Sequence, residues 1–423
     1  MEQEDMPWWV DSFAEFCGRF DDLFARRESR QQARKYLRGL LTPLERKTNW
    51  QLAERLHDST PDRMQRLLYR VPWDAQEARD RLQQFIIERF GEEGAIGVLD
   101  ETGIPKKGSA SVGVAKQYCG AVGKLENCQV ATLLTYSTSR GHVFLDRRLF
   151  LPEDWCEDAC RRARAKVPKE VTFQTKPEQA GEMLMHAWQM GVPMQWVTGD
   201  SVYGCSPKLR QSIELAGKWY VLAVTSVVRV WTERPDVLEP AEQTGGRPRR
   251  KVRLSKGAPK SRSVAEVIAE LPKSRWRRLS LGVGTKGPRL SDWVRLRVIE
   301  SYDDVPGPEV WLLARRSISK PDEIAYYLAF APRELSLQTL ALIAGTRYSV
   351  EQCLEEAKSE MGFDQYQVRY FQSWYRHIPL ALMAHTWLAA ERAAQREKTL
   401  EGSDRRVDRS RTAPLIGGGI ASG

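Results

Sequence analysis

Three carboxylates in this chain sit where rigid elements can aim them at a common point: Asp100, Asp200 and Glu351. Asp100 closes the apolar run Ala95-Ile-Gly-Val-Leu99 and is followed by Glu101 and a Gly/Pro turn carrying Lys106 and Lys107. Asp200 closes Met194-Gln-Trp-Val-Thr-Gly199 in the same way. Runs of this kind read as buried strands, because they lack the alternation of a half-solvated one. Each strand end taken alone also reads as an ordinary turn, and it is the recurrence that singles the two aspartates out. Glu351 lies in a helix-patterned stretch with Arg347 and Lys358 at i−4 and i+7, on one helix face. A face of alternating charge is also what a solvated helix presents. Three carboxylates on rigid elements can hold hard divalent cations through oxygen. In two-metal sites the cations lie roughly 3.5–4 Å apart, one activating the attacking water or hydroxyl and one stabilising the leaving oxygen.

The 423 residues are enough for two or three domains, and 42% hydrophobic with 28% charged residues is an ordinary soluble composition. The net charge of +10 favours a polyanionic partner, of which nucleic acid is the commonest. No stretch approaches the ~18 apolar residues of a membrane helix, and the N-terminus lacks a signal-peptide pattern. The seven scattered cysteines fit a reducing cytoplasm. Cys156 and Cys160 lack the second pair or the histidine that would complete a zinc set.

The elements that must position the acids follow in order. Residues 1–93 read as helices, with Trp8, Trp9, Phe13, Phe16, Phe20 and Phe24 at helical spacing. Short helices at Trp50–Leu56 and Pro61–Tyr69 resemble a helix-turn-helix reader of DNA, although any helical bundle contains such pairs. Residues 94–225 read as strand, three further β-prone runs' worth of sheet, helix, strand, helix, strand, with Asp100 ending the first strand. That order is α/β and ribonuclease-H-like, with the third acid expected on a later helix. The 151 residues between Asp200 and Glu351 exceed what such a core needs, so 226–308 reads as a β-rich basic insertion. Residues 309–395 return to the core, with the helix of Glu351 and a long helix over Phe371–Ala394, and 396–423 read as a disordered tail. Within the insertion, 245–262 hold eight cations and no acid, among them Arg247, Arg249, Arg250, Lys251 and Arg253. In a chain of this charge they suit phosphate contact. Trp276, in Lys273-Ser-Arg-Trp-Arg-Arg278, reads as packing for a small β-core.

Several long motifs carry a resemblance: VLDETGIPKKGSASVGVAKQYCGAVGKLENCQV from Val98, then FLDRRLFLPEDW, VTFQTKPEQA, WVTGDSVYG and RYSVEQCLEEAKSEMGFDQYQVRYFQSWYRHIPLALMAH. The sequence resembles the DDE transposases of bacterial insertion sequences, and within them the insertion-sequence 701 family, a relative of the hairpin-forming branch. That resemblance implies a ribonuclease-H-like core and Asp100, Asp200 and Glu351 as catalytic metal ligands for two Mg²⁺, with Mn²⁺ able to substitute. It also implies Arg347 and Lys358 as phosphate contacts and, since hairpin-forming relatives stack an extruded base on an aromatic of their inserted β-region, Trp276 as the platform for such a base. Ala344 stands where the related branch has a tyrosine. The implied activity is DNA cleavage at element ends and strand transfer into target DNA by a homodimer in the DNA complex, associated with the cytoplasmic nucleoid and not with a membrane. The alternatives are a transposase-like regulator that binds DNA without cutting it and a general nuclease.

Overall fold

The computed structural model describes residues 6–238, 252–284, 287–302 and 304–411. Five helices come first: α1 (Met6–Gly18), α2 (Arg27–Leu41), α3 (Asn49–Arg55), α4 (Asp62–Tyr69) and α5 (Ala75–Phe90). In α2, Ala33, Tyr36, Leu37 and Leu40 recur at helical spacing and are buried, which is why this arginine-rich stretch folds onto the core as a helix. The sheet strands β1 (Ala95–Pro105), β2 (Ala115–Cys119), β3 (Lys124–Thr138) and β4 (Gly141–Phe150) follow. Short helices α6 (Glu153–Glu157) and α7 (Ala159–Ala165) lead to α8 (Lys176–Gln189), which opens on a capping box between Thr175 and Glu178. Then come β5 (Met194–Gly199), α9 (Ser201–Gly204), α10 (Pro207–Leu215) and β6 (Trp219–Val224).

β1 pairs antiparallel with β3 and parallel with β5, β3 antiparallel with β4, and β5 parallel with β6. The spatial order β4-β3-β1-β5-β6 therefore places both aspartate-bearing strands side by side at the middle of the sheet. β1 does not end at Asp100 as the sequence suggested. It runs five residues further, because the long β3 continues to supply hydrogen bonds on one side after β5 has stopped on the other.

The region between β6 and Glu351 adds β7 (Arg229–Trp231), β8 (Val237–Leu238), β9 (Arg253–Leu254), β10 (Arg262–Ser263), α11 (Val264–Ala269), β11 (Arg277–Gly284), β12 (Gly287–Tyr302), β13 (Val305–Arg316) and β14 (Ile324–Phe330). β14 pairs antiparallel with β6, and β13, β12, β7 and β10 follow outward, so most of these strands extend the central sheet. The 308/309 boundary drawn from composition falls inside β13, whose hairpin with β12 closes at Tyr302 opposite Val305. Arg210 of α10 (2% exposed) and Glu300 of β12 (0% exposed) form a buried ion pair, and Arg210 also donates to the Gly204 carbonyl. This pair fastens β12 to the turn that follows Asp200.

Helices α12 (Leu337–Gly345), α13 (Tyr348–Met361) and α14 (Phe371–Arg411) complete the described chain. In α14, Trp374, Ile378, Leu380, Met383, Ala384 and Trp387 are all buried. Apolar residues all round mark a helix enclosed by protein. It packs on α2, α4, α5 and β4, so one core runs from Phe16 through the sheet to Trp387. α14 also continues to Arg411, through part of the segment whose charge suggested a disordered tail, while 412–423 lie outside the described residues. Among the described residues, no helix is long and apolar enough to cross a membrane.

Removing one member of a buried pair strands a charge, at a cost of about 3–5 kcal/mol. Glu300→Ala is therefore expected to lower the unfolding free energy by about that much in a denaturant titration, and Arg210→Met with Glu300→Leu by much less. A Glu300→Ala protein within about 0.5 kcal/mol of wild type would mean that water reaches the pair.

Candidate active site

β1 and β5 stay paired as far as Leu99 opposite Gly199, and the next residue of each chain is an aspartate. Asp100 keeps only β3 as a neighbour, opposite Leu133. Its side chain is 13% exposed, and its Oδ1 accepts the Glu101 backbone N–H at 2.8 Å. Asp200 has left the sheet and caps α9, with its Oδ1 accepting from the Val202 N–H at 2.8 Å. The tight seat of α9 depends on Gly204, where a Cβ would fall 1.8 Å from the Ala223 carbonyl oxygen of β6.

A third acid joins them, and it is Glu101. Carboxylate oxygens of Asp100, Glu101 and Asp200 lie within 4.8 Å of one another. Glu101 accepts from Lys176 Nζ at 2.6 Å and from the Tyr203 hydroxyl at 3.0 Å, which ties it to the first turn of α8 and to α9. The sequence did signal it, as the second of two adjacent acids. Alternation along a strand assigns neighbours to opposite faces, which steers attention to one of the two only. Here the strand has lost a partner, and both carboxylates curl into the same opening.

Glu351 is exposed in the first turn of α13 and is not one of the three convergent acids. Arg347, at the start of that helix, connects it to them: its guanidinium lies 3.4 Å from Asp100 Oδ2 and 3.2 Å from Glu351 Oε1. Lys358 stands two turns beyond Glu351, roughly 10 Å along the axis, where burial lowers its amine pKa against the opposing charge of Asp364. Nearby, Lys106 donates to the Asp364 and Tyr366 carbonyls, and burial brings its pKa down to about 8. Arg253 is exposed on β9, while Arg247, Arg249, Arg250 and Lys251 lie outside the described residues. Trp276 is half-buried against the core, with the Arg316 guanidinium 4.3 Å from its ring centroid. Trp231 and Trp293 are fully enclosed.

Burial pushes the Asp100 carboxyl up to about 7, against the pull of the Glu101 N–H and Arg347. Burial also raises Asp200, and the Glu101 charge adds to it. A partly dehydrated cluster of acids is a strained arrangement for the free protein and a good one for a hard cation.

A mixed α/β sheet that brings two strand-end aspartates and a neighbouring acid to one opening is a framework for phosphate-directed chemistry. The chain matches the DDE superfamily endonuclease family over residues 19–288, which include Asp100, Glu101 and Asp200, and it belongs to that family. Over 196 residues it is 30% identical to the probable transposase for insertion sequence element IS701 of Microchaete diplosiphon, covering 46% of this chain. The match spans 48% of that protein, so the chain spans about half the length of the curated relative it matches. Among solved structures it is similar to the cryo-EM structure of the piggyBac transposase synaptic complex with hairpin DNA. There the identity is 12%, the TM-score 0.41, and the coverage 88% of this chain and 68% of that one. It is also similar to the NurA nuclease from Sulfolobus solfataricus, at 8% identity and a TM-score of 0.26, covering 69% and 92% respectively.

The raised pKa of Asp100 has a defined sign. An acid whose pKa is higher folded than unfolded lowers stability increasingly as pH rises from about 4 to about 7. Asp100→Asn removes that penalty. In metal-free buffer at pH 8 the variant should unfold at higher denaturant than wild type, by about 1–3 kcal/mol, with the gap closing near pH 4. A variant no more stable than wild type at pH 8 would show that burial does not penalise the charged carboxylate.

Proposed function

We propose that this chain is a divalent-metal-dependent DNA strand-cleaving and strand-transferring enzyme, a transposase acting on the ends of its own element. The observation that carries the reading is the convergence of the Asp100, Glu101 and Asp200 carboxylates at the parting of β1 and β5, within a DDE superfamily endonuclease sequence. The order β4-β3-β1-β5-β6, with two antiparallel and two parallel pairings, is read as a ribonuclease-H-like core. The donor set fits Mg²⁺: the ligand atoms are all carboxylate oxygens, and the burial that raises Asp100 and Asp200, with the repulsion among the acids adding to it, is a cost to their charged forms that a bound cation would relieve. Asp100 and Asp200 would hold the metal, with Glu351 completing the set and Mn²⁺ able to substitute. A metal bound there supplies activation of the attacking hydroxyl and charge neutralisation at the leaving oxygen.

The remaining steps belong to the chain's own residues. Arg347 holds Asp100 and Glu351 together in the free protein. A scissile phosphate entering the opening would draw the guanidinium to itself, since a planar donor fork suits phosphate oxygens. Glu351 is then released toward Asp100 and Asp200. Lys176 and Tyr203 keep Glu101 in place while this exchange occurs. Lys358 and the basic segment around Arg247 to Arg253 would neutralise phosphates further along the duplex. The partners are double-stranded DNA at the element ends and at the target, engaged by a homodimer at the nucleoid. Converging acids suit a metal-holding, cleaving site within an endonuclease family, so cleavage is favoured over a purely regulatory role.

Asp100→Asn, Asp200→Asn and Glu351→Gln keep shape and remove charge. Each is expected to reduce cleavage of a plasmid carrying the element ends by about a thousandfold or more while end binding in a gel-shift assay persists. Glu101→Gln separates the two candidates for third ligand: retained cleavage leaves Glu351 in that role. Cleavage by Glu351→Gln at the wild-type rate, with loss in Glu101→Gln, would reverse the assignment. Equal cutting of a plasmid that lacks the ends would replace transposition by general nuclease activity.

A further inference from the structure

A cleft of about 810 Å³ lies between the N-terminal helices and the catalytic core, away from the acids. One wall is the polar face of α4, with Gln65, Arg66 and Arg70, and the start of α3 with Trp50. The other wall is Lys166, after α7, and the segment Tyr366 to Tyr370 that leads into α14. Arg66, Arg70, Lys166 and Arg369 are exposed and, among the described residues, have no carboxylate partner. Asp62, at the first turn of α4, is the one acid in the lining. Trp50 is 63% exposed. Lys166 lies over the Tyr370 ring at 4.4 Å, and among the described residues no carboxylate neutralises the four cations, so the bare indole sits in a positively charged cleft that packing alone does not explain.

The cleft is built rigidly. Tyr69 of α4 meets Tyr370 edge-on, with centroids 5.4 Å apart, so the two walls are joined at this contact. Lys47 reaches across from the α2–α3 turn and donates to the Leu40, Thr42 and Glu360 carbonyls. The two walls meet at the Tyr69–Tyr370 contact, and the volume is that of a single-ligand pocket of roughly 300–1,000 Å³, which suits an unpaired segment better than a duplex. Cations that track a backbone together with an open aromatic face are the recognition chemistry of unpaired nucleic acid. The polar face of α4 looks into this cleft and so faces the core across it, which is not how a helix-turn-helix presents its reading helix to a major groove.

We propose that this cleft binds a short unpaired DNA segment, with a base stacked on Trp50 and phosphates held by Arg66, Arg70, Lys166 and Arg369. The inference rests on the reading of the chain as a DNA-processing enzyme, and it assigns the α3–α4 pair to single strands in place of duplex reading. The cleft is joined to the catalytic strand through Lys106, in the turn after β1, which donates to the Tyr366 carbonyl at 2.9 Å. A strand freed near the carboxylates thus has a holding site that shares a rigid connection with Asp100.

The test uses the full chain and fluorescein-labelled dT10, with a ten-base-pair duplex as the second probe, followed by fluorescence anisotropy. Trp50→Ala is expected to weaken dT10 binding roughly five- to hundredfold and to leave duplex binding within twofold, while Trp50→Phe restores most of the loss. Arg66→Gln with Arg369→Gln should lower the slope of log affinity against log salt for dT10 by about 1.4. Unchanged dT10 binding in Trp50→Ala, an equal loss for both probes, or no dT10 binding by wild type would overturn the proposal. Plasmid cleavage measured alongside separates the two readings. Wild type that cleaves element ends but ignores dT10 refutes the cleft alone. Trp50-dependent dT10 binding without any cleavage refutes the catalytic reading and leaves the cleft standing.

Discussion

The structure turns on the parting of two parallel strands. β1 and β5 are hydrogen-bonded through Leu99 and Gly199, and beyond that point one continues along β3 while the other turns into α9. The gap is lined by the first side chains past the last shared pair, which are both aspartates. Because β1 still has β3 on its other edge, Asp100 cannot swing outward into water, and its carboxyl stays mostly buried. Because Asp200 accepts from the Val202 N–H, it too is pinned. Crowded, partly dehydrated acids are costly to the free fold. That cost persists here because the sheet around them leaves no other place for the side chains to go.

The surroundings of the site serve this arrangement. Gly204 lets α9 lie against β6, and Arg210 beneath it answers the buried charge of Glu300 from β12. The strands outward from β14 are thus coupled, through β12, to the turn that holds Asp200. On the opposite flank, α13 brings Arg347 to Asp100, and α14 behind it is apolar enough to be enclosed by the N-terminal helices and β4. The Tyr36 hydroxyl meets His377 Nδ1 at 2.9 Å in that interior, a buried polar contact joining the first and last helical layers. Helices from both ends of the described chain therefore bear on one sheet, and the carboxylates inherit their rigidity from it.

Much of this was legible in residue order. Apolar runs without alternation marked β1 and β5 as strands buried on both faces, and their terminal acids were visible as interruptions of that pattern. Helical patterning marked the N-terminal helices and α13. Three things were not legible. The continuation of β1 to Pro105 depends on the length of β3, a partner remote in sequence. The participation of Glu101 depends on the loss of β5 as a neighbour, which breaks the strict alternation on which a strand reading relies. The extension of α14 was hidden by charge, which signals disorder in an isolated segment and is tolerated in a helix already nucleated by a buried apolar stretch.

The most direct test of the central claim is the position of a bound cation. Crystals of the full chain soaked in Mn²⁺, with anomalous diffraction recorded at the manganese edge, report that position without reference to activity. Density between the carboxylates of Asp100 and Asp200, lost in crystals of Asp100→Asn, is the result expected from acids assembled for a metal. Crystals that take up Mn²⁺ elsewhere and leave this opening empty would contradict it.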